Sequence, residues 1–119
     1  MYVPAMQVLK PGYLMGATPA IAAPFPLNDP NGLYFYVARS GIYHLFRALD
    51  VTAGDRVLVP AYHSGNETKA IRAAGATLQY YSIGRNFELD LDEVSDLCRG
   101  GARALFLIHY LGWPQPLQP

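Results

Sequence analysis

The sequence predicts an α/β fold of three layers, a parallel sheet between helices, and three observations predict it. Apolar runs without alternation, Val57-Leu58-Val59 and Ala104 to Ile108, suit strands buried on both faces. Stretches of helical periodicity separate the strands, and Gly54-Asp55, Gly75 and Gly100-Gly101 mark the junctions. Strands alternating with short helices imply right-handed crossovers, and therefore parallel strands with helices against the sheet faces.

The elements follow in order. Most of the ten prolines fall between Met1 and Leu33, where neither a period of 2 nor one of 3.6 is sustained. Residues 1–33 therefore read as an extended proline-rich arm, and 34–119 as the α/β portion. The aromatic run Tyr34-Phe35-Tyr36-Val37 leads into a helix over Gly41–Leu49. Ile42, Leu45, Phe46 and Leu49 make its apolar face, and Ser40 is placed to cap it. Arg56–Val59 is the first strand, ended by Pro60. After a loop over Ala61–Asn66, the helix Glu67–Ala74 turns Ala70, Ile71 and Ala74 inward until Gly75 stops it. Thr77–Ile83 is the second strand, with Leu78, Tyr80 and Ser82 alternating against Gln79 and Tyr81. Asp90 or Asp92 caps a helix that reaches Leu97. Arg103–Ile108 is the third strand, and His109–Gly112 is its exit.

Composition narrows the function classes. A length of 119 residues allows one ordinary domain. A hydrophobic fraction of 51% against 15% charged residues leaves apolar surface for a partner chain to cover. Nine basic and nine acidic residues cancel, so neither nucleic acid nor an anionic membrane surface has an electrostatic hold on the chain. The single cysteine, Cys98, excludes an intramolecular disulfide and a cysteine-rich metal site, and fits a cytoplasmic setting. Tyr13–Ala23 behind Lys10 has the outline of a signal peptide, but Pro11, Gly12, Gly16 and Pro19 interrupt it. No uninterrupted apolar run reaches the ~18 residues of a membrane span.

In this architecture ligands sit beyond the carboxyl ends of the strands. Those ends are Pro60–Ser64, Ile83–Arg85 and His109–Trp113, and the helix start at Ser40-Gly41 can face the same side. His63 and His109 lie at two of them, but two imidazoles without a placed carboxylate or thiolate make a poor metal site.

Four segments carry a family resemblance: residues 38–49 (ARSGIYHLFRAL), 54–62 (GDRVLVPAY), 70–76 (AIRAAGA) and 104–112 (ALFLIHYLG). In this order and spacing the chain resembles the first part of the DegT/StrS-type sugar aminotransferases, pyridoxal-phosphate enzymes of fold type I. The resemblance spans about Tyr34 to Pro116 and implies that the chain is a portion of their large domain. It implies a phosphate cradle at Ser40, Gly41, Ile42 and Tyr43, where first-turn amides and a positive helix end attract a dianion. Read alone, Ser40-Gly41 is an ordinary helix cap. Family members often carry threonine at the position of Ile42, and an aromatic that stacks on the pyridine ring at the position of Ser64. Serine cannot stack, so either a neighbour, Tyr62 or His63, takes that role or the ring is held differently; read alone, Tyr62 is a half-buried loop aromatic. His109 ends the third strand in the family's His-aromatic-x-Gly region, and read alone it is a hydrogen-bonded structural histidine.

Transamination also needs a lysine that bonds the cofactor and an acid on the pyridine nitrogen. In the family both follow the histidine strand. The lysines of this chain are Lys10, in the arm, and Lys69, on a helix the family does not use for that purpose. The expectation is a portion of a homodimeric aminotransferase acting on a nucleotide-linked keto-sugar and an amino donor, inactive by itself. The alternative is a non-catalytic α/β module that docks on a separate chain.

Overall fold

The computed structural model describes residues 25–117, and the chain falls into two units divided between Leu33 and Tyr34. In the first unit the Asp29 and Gly32 amides donate to the Pro26 and Asp29 carbonyls, and the Asp29 carboxylate accepts from the Asn31 amide at 2.8 Å. The remainder of the expected arm, with Lys10 and the Tyr13–Ala23 stretch, lies outside the described residues.

In the second unit the chain runs through helix α1 (Ala38–Ala48), strand β1 (Arg56–Pro60), helix α2 (Asn66–Ala73), strand β2 (Thr77–Tyr81), helix α3 (Leu91–Arg99) and strand β3 (Ala104–Leu105). A 3-10 turn follows at Tyr110–Gly112. The strands form one parallel sheet in the order β2-β1-β3, with Val57 opposite both Leu78 and Ala104. Central β1 explains the run without alternation, because both its faces are covered. Val57 and Val59 pack with Phe46, Val51, Ile71, Ala74 and Ala76 in the α1/α2 layer. Leu58 packs with Tyr81, Leu89 and Val94 in the α3 layer. The class is the expected three-layer α/β. From β1 the chain moves to one side through α2, and from β2 it crosses back over β1 through α3. Right-handed crossovers in opposite directions put their helices on opposite faces. The chain therefore leaves the carboxyl ends of neighbouring β1 and β2 toward opposite faces of the sheet.

The second and third helices lie within two residues of their expected bounds, and three other boundaries differ more. Helix α1 starts at Ala38, ahead of the expected Gly41, and Ser40 does not cap it. Val37 is extended (φ −135°, ψ 143°), and its carbonyl accepts from the Ser40 amide at 3.0 Å with no side-chain cap. Strand β2 ends at Tyr81, short of Ile83, because the Ser82 amide donates to Glu93 Oε2 at 3.0 Å and Ile83 pairs antiparallel with Leu89. The third strand, expected over Arg103–Ile108, is paired only at Ala104–Leu105. The Arg103 and Phe106 amides donate to the Arg56 and Leu58 carbonyls, each at 2.8 Å. The next β1 residue facing that side is Pro60, which has no N–H to continue the ladder.

Other expectations agree with the structure. Asp90 Oδ1 accepts from the Asp92 and Glu93 amides at 3.0 and 3.1 Å, capping α3. Gly75 follows α2 at φ +119°, where an added Cβ would stand 3.0 Å from the Val51 carbonyl oxygen. A glycine is required there on both counts. Among the described residues no helix is long and apolar enough to cross a membrane.

Candidate functional site

Proline ends β1, and the chain then turns outward through Ala61 to Gly65 before α2 begins. The Ala61 amide donates to the Tyr81 carbonyl at 2.8 Å, which holds this exit against β2. Gly65 takes a left-handed conformation (φ 88°) as the residue before the helix, and its amide donates to His63 Nδ1 at 2.8 Å. That bond leaves the proton of a neutral His63 on Nε2. The His63 ring stacks on Tyr80, with centroids 5.8 Å apart and planes 17° apart.

Ser64 is occupied. Its hydroxyl donates to Glu67 Oε2 at 2.7 Å and accepts weakly from Asn66, so it ties the loop to the first turn of α2. Burial pushes the Glu67 carboxyl up, but its own amide, the Ser64 hydroxyl and nearby His63 outweigh that and leave it below its ordinary value. Tyr62 is exposed and packs with Phe87 and Tyr110 in a three-ring cluster, with centroids 5.6 to 5.7 Å apart. The Tyr110 hydroxyl donates to the Tyr62 carbonyl, joining the exits of β1 and β3. Burial, with Tyr62 and Glu67 nearby, raises the Tyr110 phenol above its ordinary value.

His109 is exposed, and its Nδ1 accepts from the Gln115 amide at 3.0 Å. Each of the two expected histidines thus spends one ring nitrogen on a backbone amide of its own loop. Among the described residues no three His, Cys, Asp or Glu side chains gather as metal ligands.

The α1 candidates line two adjoining grooves against the start of α2. Ser40 and Tyr43 line a groove of about 400 Å³ between α1 and α2, together with Arg39, His44, Asn66, Lys69 and Ala70. Ile42 lines an adjoining groove with Ser64 and Glu67, so the α1 and loop candidates meet there. Gly41 faces away from a ligand approach, because the Phe35 ring covers it and an added Cβ would stand 3.2 Å from Phe35 Cδ2. With the Ser40 amide given to Val37 and the following amides inside the helix ladder, what this segment offers the groove is side chains.

Gln115 escaped sequence reasoning. Its buried side chain accepts from the Leu89 amide at 3.0 Å and donates to the Phe87 and Ile108 carbonyls at 2.8 and 3.1 Å. The signal was a lone polar residue between Pro114 and Pro116, too slight to predict burial. That Arg39 and Lys69 line one groove from two helices had no sequence signal at all.

No curated protein and no solved structure matches the chain significantly. One family model does, over residues 33–109, a stretch that runs from the approach to α1 through all three strands to His109. That stretch is well over half the chain and coincides with the sheet and helices that position the candidate residues, so the chain belongs to the aminotransferase class I and II family.

Proposed function

We propose that this chain is the cofactor-binding portion of a pyridoxal-phosphate-dependent aminotransferase of the DegT/StrS type, whose substrates are a nucleotide-linked keto-sugar and an amino donor. The observation that carries the aminotransferase part of the reading is the family match, which contains every candidate residue from Ser40 to His109, while the DegT/StrS type and its sugar substrate rest on the resemblance of residues 38–49, 54–62, 70–76 and 104–112. Enzymes of this family generally depend on pyridoxal phosphate, which when bound supplies an electron sink for amino transfer.

The donor chemistry of the α1/α2 groove fits the phosphate end. Ser40 and Tyr43 offer hydroxyls there, and no carboxylate lines the groove. Ile42 brings no hydroxyl and Gly41 no approachable backbone, so side chains take the work of the expected amide cradle. Tyr62 is the exposed ring at the β1 exit and takes the stacking role that Ser64 lacks. His63 and Ser64 shape that loop, and His109 holds the loop after β3.

Neither Lys10 nor Lys69 is the cofactor-bonding lysine in this reading, so the chain by itself does not transaminate. Adding pyridoxal phosphate, reducing with borohydride and measuring intact mass tests this. The expected result is no stoichiometric lysine adduct; a specific one overturns the inactivity. A second reading, an α/β module docked on another chain, is favoured by the exposed side chains of Tyr36, Leu111 and Trp113. Homodimerisation would cover such surface equally, and light scattering after size exclusion separates the cases: a well-behaved monomer counts against both.

A further inference from the structure

The turn after β2 and the loop after β3 enclose a cavity of about 290 Å³, close to the ~300 Å³ at which small-ligand clefts begin. In the turn, the Phe87 amide donates to the Gly84 carbonyl at 3.0 Å and the Gly84 amide to the Glu88 carbonyl at 2.9 Å. Phe87 is left at φ 64°, and Leu111, which lines the cavity from the loop after β3, stands at φ 54°. Positive φ is rare for side chains of this bulk and persists where the surroundings enforce it, often at ligand sites. Gln115 ties the two walls together, since its buried side chain bonds the Phe87 carbonyl and Leu89 amide on one and the Ile108 carbonyl on the other. The cavity is thus shaped before any ligand arrives.

Its walls are aromatic and its charge is negative. The Phe87 and Tyr110 rings have centroids 5.6 Å apart, and exposed Trp113 adds an indole that enters none of the ring contacts of the Tyr62 cluster. Glu88 is the only charged side chain among the described residues that line the cavity, and its carboxylate accepts from the Asn86 side-chain amide. The adjoining groove adds Asp90, again without a cation, and Arg85 lines neither. Aromatic faces carry negative potential and attract cations, tryptophan most strongly. An anion would meet Glu88 and Asp90, and a metal ion would give up its water for too few oxygen ligands. An ammonium ion wrapped in alkyl groups matches apolar walls and one carboxylate.

We infer that this cavity binds an organic cation of the alkylammonium class, with Phe87, Tyr110 and Trp113 as its aromatic walls and Glu88 as its counter-ion. The aminotransferase reading assigns the cavity no part, so either can fail without the other.

Proton NMR titration of the whole chain with tetramethylammonium chloride tests it, at an ionic strength held constant with sodium chloride. The expected result is saturable binding with the ligand methyl signal moved upfield by the rings, and tert-butanol, an uncharged molecule of similar size, binding about threefold or more weakly. Trp113→Leu keeps apolar bulk but loses the π face, and Glu88→Gln loses the charge; each should weaken binding about threefold or more. Trp113→Phe should bind more tightly than Trp113→Leu. Tyr36→Leu removes an exposed ring outside the cavity and leaves binding unchanged. Melting midpoints confirm that each variant is folded, and Trp113 and Glu88 are both exposed, so their replacement spares the core. Methylammonium binding more tightly than tetramethylammonium identifies a ligand whose head donates hydrogen bonds, and the reverse identifies a quaternary one; both support the site. Absence of saturable shifts, equal binding of tert-butanol, or equal weakening by Tyr36→Leu overturns it.

Discussion

Replacing Gln115 with alanine removes three hydrogen bonds that one buried side chain makes to three separate backbone segments. The Leu89 amide loses its acceptor, and the Phe87 and Ile108 carbonyls lose their donor. At a net ~1 kcal/mol for each bond, with part of the desolvation cost of groups left unpaired, the loss is about 2–4 kcal/mol. That is a large share of the ~5–15 kcal/mol that holds a domain together. Urea unfolding is the assay, followed both by backbone circular dichroism and by fluorescence of Trp113, the single tryptophan, two residues away. With a slope of ~1–1.5 kcal/mol/M for a chain of this size, the midpoint should fall by at least about 1.3 M. Gln115→Glu keeps an acceptor for Leu89 but loses both donors and buries a charge, so it should be no milder at neutral pH and should recover partly in acid. If Gln115→Ala moves both midpoints by less than about 0.5 M, the side chain does not anchor the loop and the reasoning is wrong.

Other outcomes follow from the same geometry. Gly75→Ala forces a Cβ against the Val51 carbonyl at a positive φ and should cost about 1–3 kcal/mol by thermal or urea unfolding, whereas a neutral result would contradict the turn. Tyr81→Phe removes the 2.9 Å bond from its hydroxyl to the Phe106 carbonyl and should cost about 1 kcal/mol. Burial raises the Tyr81 phenol far above its ordinary value, so its contribution is present below pH ~10 and fades as pH rises beyond, a dependence that Tyr81→Phe should lack. Glu67 is shifted down, so the stability it contributes is present above its unfolded value and is lost as pH falls through the folded one. Acid titration of unfolding midpoints should show a smaller decline for Glu67→Gln than for the parent chain, and identical profiles would show that the Ser64 and His63 contacts carry no stabilisation.

Much of the fold was legible because its signals are local. Val57-Leu58-Val59 announces a strand covered on both faces, Asp90 caps the helix it precedes, and Gly75 stands where only a glycine fits. Errors arose where a distant partner intervened. Ser40 has the chemistry of a cap, but α1 starts earlier, behind an extended Val37, and that hydroxyl lines a groove. Glu93 reaches back to Ser82 and shortens β2, and Pro60 on the neighbouring strand shortens β3.

The site divides the same way. Placing Tyr62, His63, Ser64 and His109 at strand exits needed only the order of elements, since parallel strands deliver their carboxyl ends to one edge. What each side chain does there depended on groups remote in sequence. Ser64 is taken by Glu67, Tyr62 joins Phe87 and Tyr110, and Arg39 and Lys69 line one groove from two helices. By itself the sequence determined the class, the order of the elements and the edge of the sheet where chemistry belongs, because periodicity, caps and glycine turns act over a few residues. Only the tertiary structure decided which donors are spent, which remain open and which charges share a groove, because hydrogen bonds and packing join residues by distance in space, whatever their separation along the chain.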